Sequence, residues 1–156
     1  MANTQSMCTS FMSELMTGTH NFGTAPIRAA STADTFKAAL YLASATINAS
    51  TTAYSATGEA SGAGYSAGGV SVTNATPPSS TNASATAGVA YWTPSASITY
   101  TSVTLTTAFD TVLIYNNTQS NKAVSVHTFG SQTITAGTFT LTMPANTNTT
   151  ALIRLA

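Results

Sequence analysis

The chain has 156 residues, 5% of them charged, with four Lys and Arg balanced by four Asp and Glu. An ordinary soluble domain carries about 25% charged residues, so polarity here rests on Ser, Thr and Asn, and little self-repulsion keeps copies apart. Arg28, Lys37, Lys122 and Arg154 are scattered, too sparse to neutralise a row of phosphates, which excludes nucleic acid as an expected partner.

Cys8 is the single cysteine and can form no internal disulfide. The opening MANTQSMCTSF has neither the basic head nor the apolar run of a signal peptide, and no stretch approaches a membrane span in length. No membrane partner is expected, and assembly is expected in a cytoplasm. The length fits one domain, residues 1–156.

Along the chain, Cys8–Gly18 predicts a short helix over about 8–17: Phe11 and Leu15 stand four apart, as do Met12 and Met16, and Gly18 is a natural stop. A helix this short must bury its apolar residues in the core or against a neighbouring subunit. After a loop around Pro26, TFKAALYL at 35–42 alternates, with Phe36, Ala38, Leu40 and Leu42 on one face, and predicts a strand. The same period recurs from Val70, from Val89 and from Ile98. In the last of these Ile98 and Tyr100 give way to Val103 and Leu105 on the opposite parity, which predicts a bulge near Thr101 and Ser102. Between these runs, residues 73–88 hold Pro77-Pro78 and no apolar pattern, and predict a loop.

From Asp110 the run DTVLIYNN leads through the turn-rich NNTQSNK into AVSVHTF. Gly130 follows, and then SQTITAGTFTLTM, whose Ala136-Gly137 resembles a hairpin turn between Ile134 and Phe139. ALIRL closes the chain as a strand. Strands at this spacing with one helix predict an all-β fold, an antiparallel β-sandwich or jelly-roll-like domain.

Five of the ten glycines lie in TGEASGAGYSAGG, Thr57–Gly69. A phosphate cradle would need a buried strand before the glycines and a helix after them. Here a Thr/Ser-rich run precedes and the strand VSVT follows, so the stretch predicts a tight loop entering an edge strand, with Tyr65 packed back onto the sheet. His20, His127, Cys8 and the four acids have no metal-ligand spacing, and neither metal nor cofactor is expected. His127 reads as a half-buried or interfacial strand residue and His20 as a cap or loop hydrogen-bonder. Glu14, Asp34, Glu59 and Asp110 sit singly, and no GxSxG turn marks a nucleophile, so no catalytic residue is assigned and no enzymatic activity is expected. Tyr91 and Trp92 have the make-up of a sugar-stacking platform, but their place at a strand end reads as core.

Two stretches, SFMSELMTGTHNF with DTFKAALYLASATINASTTAYSATGEASGAGYSAGGVSVT, and DTVLIYNNTQSNKAVSVHTFGSQTITAGTFTLTMPANTNTTALIRLA, resemble a family of small proteins encoded among the virion structural genes of tailed bacteriophages. The pieces that carry the likeness are FKAALY, TGEASGAGYSAGG, LIYN and LIRLA. The resemblance implies a capsid decoration, or cement, protein of the virion, a homo-oligomer (a trimer by the habit of such proteins) whose partners are the major capsid protein or other virion proteins. Met7, Phe11, Leu15 and Met16 of the N-terminal segment, or else the sheet edges, are the candidate subunit contacts. The rival expectation is a tail or receptor-binding module that recognises a host glycan through the loops 58–69 or 73–88.

Overall fold

The computed structural model describes residues 3–8, 10–11, 15, 18–20, 22, 33–81 and 89–155. They form two antiparallel sheets. The strands are β1 (Ser6–Met7), β2 (Phe36–Leu42), β3 (Val70–Val72), β4 (Ser79–Ser80), β5 (Ala90–Trp92), β6 (Ile98–Asn116), β7 (Lys122–Leu141) and β8 (Ile153–Leu155). One sheet has the order β1-β7-β6-β2-β3 and the other β4-β5-β8, an all-β architecture as expected. The helix expected over 8–17 falls largely on residues outside those described (9, 12–14 and 16–17), and it is not among the described elements.

The long hairpin β6–β7 organises the larger sheet. Its turn, residues 117–121, is closed by Asn116, whose Oδ1 accepts the amides of Thr118 and Gln119, both at 3.1 Å. Ser120 and Asn121 there take positive φ of 53° and 58°. Near the turn the strands are buried on both faces, which is why LIYN and AVSV read as almost continuous apolar runs. Val112 and Ile114 share one face with Phe36, Ala38 and Leu40, while Leu113 and Tyr115 share the other with Ala39.

The expected bulge is present: register slips between Tyr100 and Val103, and Ser102 has φ 54°. Two expectations are corrected. The runs from Ile98 and from Asp110 belong to one strand of 19 residues, and the runs either side of Gly130 to one of 20. Ala136-Gly137 therefore makes no hairpin. Ala136, at φ 47°, bulges within β7 and donates its amide to Thr104 Oγ1 at 3.0 Å, while Gly137 pairs with Val103. The full-length partner β6 keeps both runs in line, which a tight turn at that dipeptide would forbid. A further correction lies in the expected loop 73–88. Ser79–Ser80 pairs with Tyr91 and Ala90 as strand β4, while residues 82–88 lie outside those described.

Compensating bulges curl the hairpin. Leu105–Phe109 on β6 faces only Gln132–Ile134 on β7, and Phe109–Thr111 faces Thr128–Gln132. A straight strand would separate Phe129 and Phe139 by about 33 Å, yet their ring centroids are 5.2 Å apart, with Phe109 5.9 and 5.1 Å from the two. This aromatic corner turns the open end of the hairpin away from the plane of the turn end.

The face bearing Phe36 and Ile114 is covered by the smaller sheet and the N-terminal segment. Phe22 joins them, stacked on Phe36 at 4.6 Å and set against Trp92 at 4.7 Å. The opposite face is covered by residues 50–69. Ala123 N donates to Thr52 O, and Tyr54 stacks on Tyr115 at 4.8 Å.

The glycine stretch runs as a ribbon along the sheet margin into β3, an edge strand as expected. Leu42 N donates to Gly58 O, Ala60 N to Leu40 O, and past the end of β2 the ribbon bridges β6, with Thr104 N donating to Ala63 O at 2.8 Å. So close an approach excludes a side chain at three points, Gly62, Gly64 and Gly69. A Cβ on Gly62 would lie 1.9 Å from Thr104 O, and one on Gly69, at φ +71°, 1.7 Å from Ala38 O.

Gly62→Ala should therefore lower stability by about 2–4 kcal/mol in urea unfolding, because a backbone carbonyl must move. Gly130→Ala, whose Cβ would meet only Gln132 Nε2 at 4.0 Å, should stay within about 0.5 kcal/mol of the parent.

Candidate functional site

Five of the six tyrosines converge on Glu59, itself in an isolated bridge to Tyr41. The carboxylate accepts Tyr54 OH on Oε2 at 2.6 Å, and Tyr65 OH and the Gly68 amide on Oε1 at 2.8 and 2.7 Å. The remaining phenols are tied to backbone: Tyr41 OH donates to Ser55 O, Tyr100 OH to Ala38 O and Tyr115 OH to Gly68 O. Tyr65, expected to pack back, stacks on Tyr100 at 5.9 Å, and its hydroxyl accepts the Leu40 amide. Burial, reinforced by the nearby carboxylate, pushes Tyr41 and Tyr115 up to about 12 and the phenols of Tyr54, Tyr65 and Tyr100 higher still. They are neutral donors at any physiological pH. The chemistry suits this cluster to fixing the ribbon and strand β2 together.

A second polar centre sits at the hairpin turn. Asn116, fully buried, donates to Asp34 Oδ2 at 2.8 Å and lies 3.1 Å from His20 Nδ1, while Gln119 donates to Asp34 Oδ1. His20 is thus a loop hydrogen-bonder, set edge-on against Phe11 at 4.8 Å.

A third lies at the seam between the sheets. A cleft of about 250 Å³ is bounded by Gln5 to Met7, Ser125 to His127 and Leu152 to Arg154. His127 Nε2 is 2.9 Å from Ser125 Oγ, and burial pulls its imidazole down to about 4, so the ring is neutral at pH 7. Such a Ser–His pair needs an orienting acid to become a nucleophile and base. No hydrogen bond joins His127 to Asp110 or Glu59. Asp110 is held by Asn3 Nδ2 and Thr111 Oγ1 at 2.8 and 2.7 Å, and Glu59, beside Tyr41, lies on the face of the sheet opposite His127. Among the described residues no group of three or more His, Cys, Asp and Glu could hold a metal, and no helix is long and apolar enough to cross a membrane.

The candidate contact residues separate. Met7 is half-buried in β1 opposite Ser125, at the seam. Phe11 is 1% exposed and belongs to the core. Leu15, half-buried, meets Phe11 at a small apolar hollow with Phe22, Trp92 and Leu155. Met16 lies outside the described residues. Trp92 is core, its Nε1 donating to Thr76 O at 2.9 Å. The Glu59 cluster escaped sequence reasoning, although the tyrosine-rich run 54–65 around a lone acid was its local signal.

Comparison with protein-family models, with curated proteins and with solved structures finds no match to this chain.

Glu59→Ala removes the acceptor of three donors and should cost about 3 kcal/mol, with faster hydrogen exchange at the Gly68 amide as the local readout. The pH limbs have opposite signs. Unfolded tyrosine titrates near 10 and folded Tyr41 and Tyr115 at about 12, so above pH 10 the native state holds more protons and stability falls as pH rises. Unfolded histidine titrates near 6.5 and folded His127 at about 4, so its contribution is complete above pH 6.5 and fades as pH falls through that window. Melting curves of His127→Gln and the parent should therefore converge as pH drops from 7 to 4.

Proposed function

We propose that this chain is a structural component of a tailed bacteriophage particle, a capsid decoration protein that binds the assembled head and stabilises it. The observation that carries the reading is the surface. The open half of the long hairpin exposes Thr99, Thr101, Thr106, Thr107, Thr133, Thr135, Thr138 and Thr140, a hydroxyl-bearing sheet without an ion, while the described acids Asp34, Glu59 and Asp110 accept hydrogen bonds from within the chain. Such a face gains little from long-range attraction and suits contact at short range with fixed neighbours. The likeness of FKAALY, TGEASGAGYSAGG, LIYN and LIRLA to small virion proteins points the same way.

The mechanism is linkage: a ligand that binds only the assembled shell stabilises it by an amount that grows with the logarithm of its concentration relative to its dissociation constant, and many weak contacts sum over a lattice. Partners are then the major capsid protein and further copies of the chain, and the site of action is the virion. The rival tail module would read glycans with pliable loops. The ribbon over 58–69 is stitched to β2 and β6 and pinned by Glu59, which suits it poorly to moulding around a ligand.

Purified protein mixed with expanded heads that lack it should co-sediment at hundreds of copies per particle and raise the temperature at which the heads release DNA. Absence of co-sedimentation, or a few copies confined to the tail in a map of the virion, overturns the decoration reading.

A further inference from the structure

We propose that the outer edge of β7 pairs with the same edge of a second copy of this chain, antiparallel across a two-fold axis. The sheet margins end in two different ways. The terminal strands β1, β3, β4 and β8 are only two or three residues long, the shortness by which natural sheets blunt their edges. Strand β7 is the exception. Among the described residues its outer side meets only β1, at Ser125 and Val126, and from Thr128 to Leu141 every strand pairing is with β6. No backbone hydrogen bond from a described loop reaches that stretch. The matching stretch of β6 is treated differently, since the glycine ribbon closes it at Thr104.

Charge and proline, two of the usual safeguards, are missing from this edge. Thr128–Met143 contains no Lys, Arg, Asp, Glu or Pro. The bulge at Ala136 and the slip opposite Ser102 interrupt the ladder, but beyond them Phe139, Thr140 and Leu141 pair regularly with Tyr100, Thr99 and Ile98 of β6. Thr138 and Thr140 are exposed, and Phe139 and Leu141 remain half-buried although they pack on the core. A neighbouring strand would complete their burial.

Charge selects the occupant. A neutral edge offers nothing to a charged peptide and meets no repulsion from its own copy. A strand laid antiparallel against itself across a two-fold, centred near Thr138, matches each outward N–H with an outward carbonyl, the self-complementarity that an isologous interface requires. The proposal does not depend on which particle the protein joins.

Sedimentation equilibrium of the full chain over micromolar to millimolar concentrations tests it. The expected mass rises from 15.8 kDa to twice that value. Thr138→Lys and Thr138→Glu should each weaken self-association about tenfold by opposing like charges, and an equimolar mixture of the two should restore it. Circular dichroism checks that the variants fold, and Thr138→Arg or Thr138→Asp at the same position replaces a variant that does not. A single-copy mass throughout, association untouched by either charge, failure of the mixture to recover, or a three-copy mass each overturns the proposal. Head binding, measured separately, tells its failure apart from failure of the decoration reading.

Discussion

The fold depends on a carboxylate placed where a neutral chain can least spare one. Glu59 gathers two phenols and a backbone amide within hydrogen-bonding distance, and through them fixes the path of the glycine ribbon. That path closes the margin of β2 beyond its pairing with β3 and reaches β6 where β2 has ended. Without it the face carrying Tyr41 and Tyr115 would lose its cover. Hydrogen bonds to a charged acceptor are roughly twice as strong as neutral ones, which is why one acid suffices.

The same economy describes the whole molecule. Asp34 organises the hairpin turn with Asn116 and Gln119, and Asp110 anchors the N-terminal strand region through Asn3. Asp34 and Asp110 join segments distant in sequence, whereas Glu59 binds groups five to nine residues away and so fixes the local path of the ribbon. The outer surface is left to threonine, which satisfies strand preference with its branched carbon and solvation with its hydroxyl.

Much of the sheet was legible because alternation is a local signal. Strand β2 at Phe36–Leu42 and the bulge beside Ser102 follow from residues a few positions apart. What was not legible depended on distant partners. Thr106 and Thr107, with Gly130 to Gln132, interrupt the apolar pattern, so each long strand read as two; they are exposed positions beside the bend that the hairpin makes around buried Phe109 and need no apolar side chain. Ala136-Gly137 carries turn chemistry, but a positive φ serves a bulge as well as a hairpin. Ser79–Ser80 has no strand signal at all and is ordered by Tyr91 across from it. At Glu59, Tyr54 and Tyr65 are near in sequence, whereas Tyr41, Tyr100 and Tyr115 arrive only through folding.

The turn at 117–121 has a kinetic meaning. It closes the shortest loop between two long strands, and its Asn116 side chain satisfies two turn amides from within the hairpin, so β6 and β7 can zip from that end at little loop-closure entropy. Strand β2 must then be recruited from some seventy residues upstream, and the ribbon has nothing to lie against until both are in place. The order of assembly is written in chain separation: hairpin, then central sheet, then the glycine seam that locks it.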